Sequence, residues 1–369
     1  MFVVITISLI ALLFTYLESI GKFRDGMKWG FVLVTILGAI HYQYGSDYMA
    51  YYRLYQMIED YPFNLKTIME GDVFRDPGWV ILCYLFKYLG GFFMMVAILN
   101  IVQNIIVYKF IKREVNIAWR PLAIFIYLFH TGFYLMSFTM MRQEFVIIIF
   151  LGIWPWIKEK KWAKCIIILY LCSFIHKTAF VLLPFSFWGY FPIKNKNIIY
   201  FYILSLLTLY ISSDILSNMF NIFTDFEDFG RYVDTYGKDN KRTFNIGVGF
   251  VLYLLPVIAS ISYLINNRGK KETDKLRLVL LALIGNLIIP FSFISPIISR
   301  IGLYFAIYQT SSLPVAFNYI RNKTLRQMVL FSYSFIILYD YLFFFNSPLW
   351  SKSFSNFKTI FPVLFNNLI

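Results

Sequence analysis

The chain has 369 residues, of which 59% are hydrophobic, 21% aromatic and only 15% charged, with a mean hydropathy of +0.64. A soluble protein of this length needs roughly a quarter of its residues charged to cover itself, so soluble enzymes and disordered chains are excluded together and a bilayer is required. The formal charge of +14 is spread in short clusters between apolar runs, the pattern of loops facing a cytoplasm and not of a nucleic-acid-binding face. The three cysteines, Cys83, Cys165 and Cys172, read as small core residues, and their odd number argues against a disulfide scaffold.

At the start of the chain, Met1-Phe2-Val3-Val4 has no positively charged region and no small-residue cleavage site follows, so residues 2–18 read as a retained membrane helix. A crossing takes about 20 apolar residues, fewer where the helix meets a thinned bilayer. Twelve segments qualify, near 2–18, 28–43, 91–111, 120–139, 143–158, 163–176, 178–192, 198–213, 246–265, 275–294, 301–320 and 326–345. The 78–90 stretch, opened by Pro77-Gly78-Trp79 and closed by Gly90-Gly91, is too short to cross and predicts an interfacial helix with Trp79 at headgroup level. With that choice, one face carries 21 of the 34 Lys and Arg and six acids, and the other carries 13 with 14 acids. The first face is then cytoplasmic and both termini lie outside. Two longer polar stretches, 44–77 and 214–245, also fall outside. The expected fold is one all-α integral membrane domain over 1–369, with no internal repeat and no paired broken helices of the kind that mark inverted-repeat transporters.

Chemistry-bearing residues gather at the outer helix ends. Gly45-Ser46-Asp47-Tyr48, with Tyr51, Tyr52 and Arg53, follows the second segment. Asp47 reads either as the N-cap of a helix beginning at Tyr48 or as a general base that orients a substrate hydroxyl, with Tyr48 and Tyr51 as flat surfaces for a sugar. Arg75-Asp76-Pro77-Gly78 reads as a turn with a surface ion pair, or as a binding element. Arg142, in Met141-Arg142-Gln143, lies between two apolar runs, where a guanidinium costs about 2.5 to 3.5 kcal/mol near mid-bilayer; snorkelling, pairing with Glu144 or a ligand would account for it. His176 and Lys177 interrupt the run from Cys165 to Phe187; His176 reads as a turn residue or as a proton acceptor or phosphate donor. His41 and His130 read as hydrogen-bonded core residues.

Gly230-Arg231-Tyr232 and Arg300-Ile301-Gly302-Leu303-Tyr304 again set Arg beside Tyr. With Arg142 and Arg53 they form a candidate cluster for a diphosphate, gripped by forked, charge-assisted hydrogen bonds. The Asp225-Phe226-Glu227-Asp228 run reads as a solvated loop or as hard oxygen ligands for a divalent cation, no Cys or His spacing suggests zinc, and no P-loop is present. Lys158-Glu159-Lys160-Lys161-Trp162 reads as an anionic-lipid contact.

Taken in succession, Gly45-Ser46-Asp47-Tyr48 with Tyr51, Asp76-Pro77-Gly78-Trp79, Met141-Arg142-Gln143, His176-Lys177-Thr178-Ala179 and Arg231-Tyr232 resemble the EpsG family of bacterial polysaccharide polymerases, related to the Wzy type. The resemblance implies a GT-C-like membrane glycosyltransferase of the bacterial plasma (inner) membrane that joins undecaprenyl-diphosphate-linked repeat units at the extracytoplasmic side. It implies no cofactor and no nucleic-acid partner, and it leaves room for a chain-length regulator beside the lipid-linked donor and acceptor. On this reading Asp47 or His176 takes the proton of the attacking hydroxyl, and Arg142, Arg231 and Arg300 stabilise the leaving diphosphate. Arg53, Arg75, Asp76, Gln143, Tyr48, Tyr51, Tyr232 and Tyr304 are expected along the substrate path. An O-antigen ligase, a flippase of lipid-linked sugars and a membrane acyltransferase are the rival readings.

Overall fold

The computed structural model describes residues 1–191, 255–263, 273–288, 296–348 and 350–366. They are almost entirely helical, and three helices, Phe2–Ser19, Gly91–Glu114 and Lys323–Asn346, are long and apolar enough to cross a membrane. The described chain divides into two compact units, Met1–Tyr190 with Ile337–Ile369, and Phe191–Ile336. Cys83, Cys165 and Cys172 are free and buried, as expected of core residues.

In the first unit, α1 (Phe2–Ser19) and α2 (Gly26–Ile40) form a hairpin. Small residues set its spacing: a Cβ on Gly26 would lie 2.0 Å from the Phe14 carbonyl oxygen, and one on Gly30 would lie 2.9 Å from that of Ala11. Lipid tails provide no hydrophobic drive between helices, so such close backbone approach is what holds the pair. A two-residue strand, β1 (His41–Tyr42), pairs antiparallel with β2 (Lys358–Thr359).

The 44–77 stretch is not an open loop. It contains α3 (Tyr48–Asp60) and α4 (Leu65–Glu70). On α3, Tyr48, Tyr51, Tyr55 and Ile58 are buried, a three-four spacing that gives one apolar stripe. That stripe packs into an aromatic core with α5 (Pro77–Tyr88), whose first helical position is the proline. Trp79 is fully buried there, its ring 5.5 Å from Tyr51. Trp79 thus packs on α3, which covers this face of α5.

After α6 (Gly91–Glu114), the expected 120–139 crossing is not one helix. α7 (Arg120–Phe129) stops at His130, a single turn α8 (Tyr134–Ser137) follows, and α9 begins at Met141 and ends at Gly152. The break is stabilised locally, because His130 Nδ1 accepts the Gly132 N–H at 3.1 Å and the Thr131 hydroxyl donates to Asp340 at 2.9 Å. Chain continues through α10 (Trp154–Lys158) and α11 (Trp162–Ile175) into a 3-10 run, Lys177–Tyr190. At about 2 Å rise per residue such a run covers length that an α-helix would need more residues to reach. Away from Arg142, ion pairs tie α1 to α7 through Glu18 and Arg120 at 2.8 Å, and α6 to α10 through Glu114 and Lys158 at 2.8 Å.

In the second unit the Thr273–Ile288 helix packs closely on Pro296–Ala306, where a Cβ on Gly285 would lie 2.5 Å from the Ala306 nitrogen. Gln309 donates to Asn286 beside that contact. The expected crossing 198–213 and the loop 214–245 lie outside the described residues, and 246–265 and 275–294 are described in part.

Candidate functional site

The site is built where four turns meet. Gly45 has φ +111°, a left-handed conformation, and a Cβ there would sit 2.2 Å from the Phe138 carbonyl oxygen. Its N–H donates to the Ser353 carbonyl at 3.1 Å, and the next N–H, of Ser46, donates to Thr139 Oγ1 at 3.0 Å. The approach to α3 is thus pinned against the turn that leads into α9. Asp47 occupies the N-cap position of α3, but its side chain makes no cap bond and accepts instead from Ser46 Oγ at 3.0 Å. Side-chain capping by Asp47 is corrected on this ground, and its carboxylate is exposed.

A second close approach brings α5 against the end of α11: a Cβ on Gly78 would lie 2.9 Å from the Phe174 carbonyl carbon. This packing puts Asp76 under the backbone N–H of Lys177, which donates to its carboxylate. Asp76 is 2% exposed. The Arg142 guanidinium, from the first turn of α9, donates to the same carboxylate and lies over the rings of Phe74 at 4.8 Å and Tyr51 at 5.5 Å. Arg75 Nε stands 3.7 Å from Asp76. Burial raises the Asp76 carboxyl above its ordinary range, against the opposing pull of Arg142, then Arg75 and Lys177.

Three cations, Arg142, Arg75 and Lys177, thus act on one carboxylate, side chains of the kind that hold an anion. His176 borders the cluster. Its Nδ1 accepts the Thr178 N–H at 3.4 Å and lies 3.0 Å from Thr178 Oγ1. A backbone N–H can only donate, so Nε2 carries the proton and is the donor side of the ring.

Of the residues expected from the sequence, Tyr51, Arg75, Asp76 and Arg142 come together directly, with His176 next to Lys177 and Asp47 held through Ser46 and Thr139. Tyr48 is fully buried and its hydroxyl donates to the His41 carbonyl at 3.3 Å, so it supports the wall of the site. Gln143 is 2% exposed, and Arg53 lies on the exposed side of α3. Arg300, partly exposed, and Tyr304, fully buried, belong to the second unit, and Arg231 and Tyr232 lie outside the described residues. The pairing of Arg142 with Glu144 is corrected: Asp76 is the partner, and Glu144 is buried on a cavity with Asn100, Gln103 and Ser137. Phe74 and Lys177 were not singled out as ligand-binding residues, although each is adjacent in sequence to one that was.

No curated protein and no solved structure matches the chain. The model of the EpsG family matches residues 28–359, a span that takes in every turn of the Asp76 and Arg142 cluster. By that match over nearly the whole length, the chain belongs to the EpsG family.

Proposed function

We infer that this protein is a membrane glycosyltransferase that polymerises lipid-linked oligosaccharide repeat units into an O-antigen, capsule or exopolysaccharide. The carrier on this reading is undecaprenyl diphosphate, the fold a twelve-crossing GT-C-like bundle, and the working face extracytoplasmic. Family membership supports the polymer chemistry. The observation that carries the site is the buried Arg142–Asp76 pair with Arg75 and Lys177 beside it, a guanidinium held in place among further cationic side chains.

The growing chain, held as its lipid diphosphate, is the donor. A hydroxyl oxygen at the nonreducing end of a new lipid-linked unit forms the bond to the donor's anomeric carbon. The bond from that carbon to the diphosphate oxygen breaks, and its electron pair leaves with the lipid diphosphate. Arg142, held flat by Phe74 and Tyr51, stabilises the charge that develops there, with Arg75 and Lys177 adding to the field. The hydroxyl proton goes to Asp47, whose carboxylate is exposed. His176 suits this less, because its accepting nitrogen is engaged by Thr178; its Nε2–H is better placed to donate to phosphate. Arg231, Arg300, Tyr232 and Tyr304 enter the reading on sequence alone.

The test is incubation of the purified protein with a synthetic lipid-diphosphate repeat unit and no nucleotide sugar. A ladder of lengthened products is expected, and Arg142→Ala should lower its rate by roughly 100-fold or more, the scale for losing a preorganised charge donor. Movement of the lipid-linked unit across vesicles without lengthening would overturn the reading in favour of a flippase. Transfer of a finished glycan to a different acceptor would favour a ligase.

A further inference from the structure

The lysine-rich turn between α10 and α11 takes no part in the reaction, and it lies at the other end of α11 from His176 and the Asp76 cluster. Lys160 has φ +58° there, a left-handed conformation that strains any residue with a Cβ and that glycine adopts freely. The conformation closes α10. The Lys160 N–H donates to the Ile157 carbonyl at 3.1 Å and the Lys161 N–H to that of Trp156 at 2.8 Å, the paired bonds of a Schellman end, in which glycine is the usual residue. A lysine kept in that strained place points to a use for its side chain.

That side chain is positioned. A Cβ on Gly189 would lie 2.1 Å from the Ile157 carbonyl oxygen and 3.3 Å from Lys160 Cγ, so the 3-10 run closes on the turn and the lysine stem runs across the glycine. The Lys160 ammonium stands 5.1 Å from the centre of the Tyr190 ring, whose hydroxyl donates to the Lys160 carbonyl at 3.1 Å. Neighbouring acids are already engaged: Glu159 pairs with Lys161, and Glu114 with Lys158 and Arg113. Lys160 and Lys164 are exposed and make no ion pair among the described residues. Beside them Trp162 stacks on Phe187 with ring centres 5.6 Å apart, and the two are 45% and 44% exposed. Further along α11, Ile167, Tyr170 and Leu171 are exposed as well. Ammonium groups set beside open aromatic rings, at the start of an apolar helix, match a ligand with an anionic head and an apolar body.

We propose that the α10–α11 turn binds one anionic glycerophospholipid of the surrounding bilayer, its phosphate held by Lys160 and Lys164 and its glycerol ester region lying on Trp162 and Phe187. A free phosphate would use the lysines alone. The site is separate from the Arg142 cluster, so it stands or falls independently of the polymerase reading.

The test titrates the full-length protein in neutral detergent with phosphatidylglycerol or phosphatidylcholine of equal chain length and counts bound lipid by native mass spectrometry. Phosphatidylglycerol should bind the wild type roughly 25-fold tighter, about fivefold for each ammonium, and the Lys160→Gln, Lys164→Gln double variant should bring the two lipids level. Lys160→Gly separates binding from folding. Relieved of backbone strain, it should melt no lower than the wild type in lipid-free detergent, yet lose about fivefold of the preference. Equal affinity of the wild type for both lipids, or an unchanged preference in the double variant, would overturn the proposal. Displacement of bound phosphatidylglycerol by an equal concentration of inorganic phosphate would overturn it too, by making the turn a phosphate site.

Discussion

Arg142 and Asp76 bury opposite charges, their side chains 13% and 3% exposed, so removing Asp76 takes the carboxylate from the Arg142 guanidinium in a poorly hydrated place. Asp76→Ala should destabilise by about 3 to 5 kcal/mol, the range for one partner lost from a buried pair. The double variant with Arg142→Ala should lose less than the sum of the singles, which melting of all four proteins measures. Additive losses would mean that the two side chains do not hold each other. Asp76 must be ionised to anchor Arg142, and burial places its carboxyl above the ordinary range. Polymerisation should therefore be present above that raised value and be lost as pH falls through it, giving an acid limb higher than a solvent-exposed aspartate would give. Arg75 is one of the charges that lower it, so Arg75→Gln should move the limb to higher pH. The move should be small, because the Arg75 side chain is 40% exposed and screened by water. A limb that stays in place or moves down would dissociate Asp76 from the reaction. The identity of these residues was legible in the sequence because charge and histidine stand out against apolar runs. Their pairing was not: Glu144 is two positions from Arg142 and Asp76 is sixty-six away, and only packing of α5 on α11 decides between them.

Elements were legible wherever apolar length or a turn residue declared them, as for α1, α6 and the Lys323–Asn346 helix. They were obscured where side chains end a helix inside an apolar run. At His130-Thr131-Gly132 the signal was present, a hydroxyl and a glycine after a histidine, but the reason for the break is the Asp340 acceptor more than two hundred residues away. Asp340 itself is the single charge between Arg326 and Lys352, a residue that composition marks as needing a partner. Thr131→Val should leave that carboxylate without its donor. We expect a loss of about 1 to 3 kcal/mol, the cost of an unsatisfied polar group, with the Lys323–Asn346 helix more accessible to hydrogen exchange near residue 340. Unchanged exchange there would show that the bond does not fasten this helix. The α1–α2 hairpin is fastened differently, by backbone proximity. Gly26→Ala would place a methyl 2.0 Å from the Phe14 carbonyl oxygen, so the helices must part and the melting temperature must drop. Gly21→Ala, at the turn between them with nothing within 4 Å of the added Cβ but a φ of +73°, should cost only about 1 to 2 kcal/mol of backbone strain.

At the scale of the whole molecule, the charge pattern predicts an orientation. The ion pairs Glu18–Arg120 and Glu114–Lys158 involve segments that alternation assigns to the cytoplasmic face. The Asp76 cluster involves segments assigned to the other. Both assignments depend on α5 not crossing, and α5 is a 12-residue helix with Trp79, Val80, Cys83, Tyr84 and Phe86 buried against protein, too short for about 30 Å of hydrocarbon. On that orientation α9 and α10 would carry the chain from Arg142 at one face to Lys158 at the other, sixteen residues that would rise roughly 24 Å if helical throughout. That orientation can be read in cells, because the three native cysteines are buried and can be replaced. On that background, Lys66→Cys on α4 should react in intact cells with a maleimide that does not cross membranes, and Lys160→Cys should react only after the membrane is opened. Lys66 is largely exposed, at 83% of its side chain, and Lys160 is exposed as well, so a failure to react reports sidedness and not burial. The reverse pattern would put the Asp76 and Arg142 cluster in the cytoplasm, where nucleotide sugars are made, and the lipid-diphosphate donor would lose its main support. Reaction of both in intact cells would mean that α5 crosses after all, and every assignment downstream of it would invert.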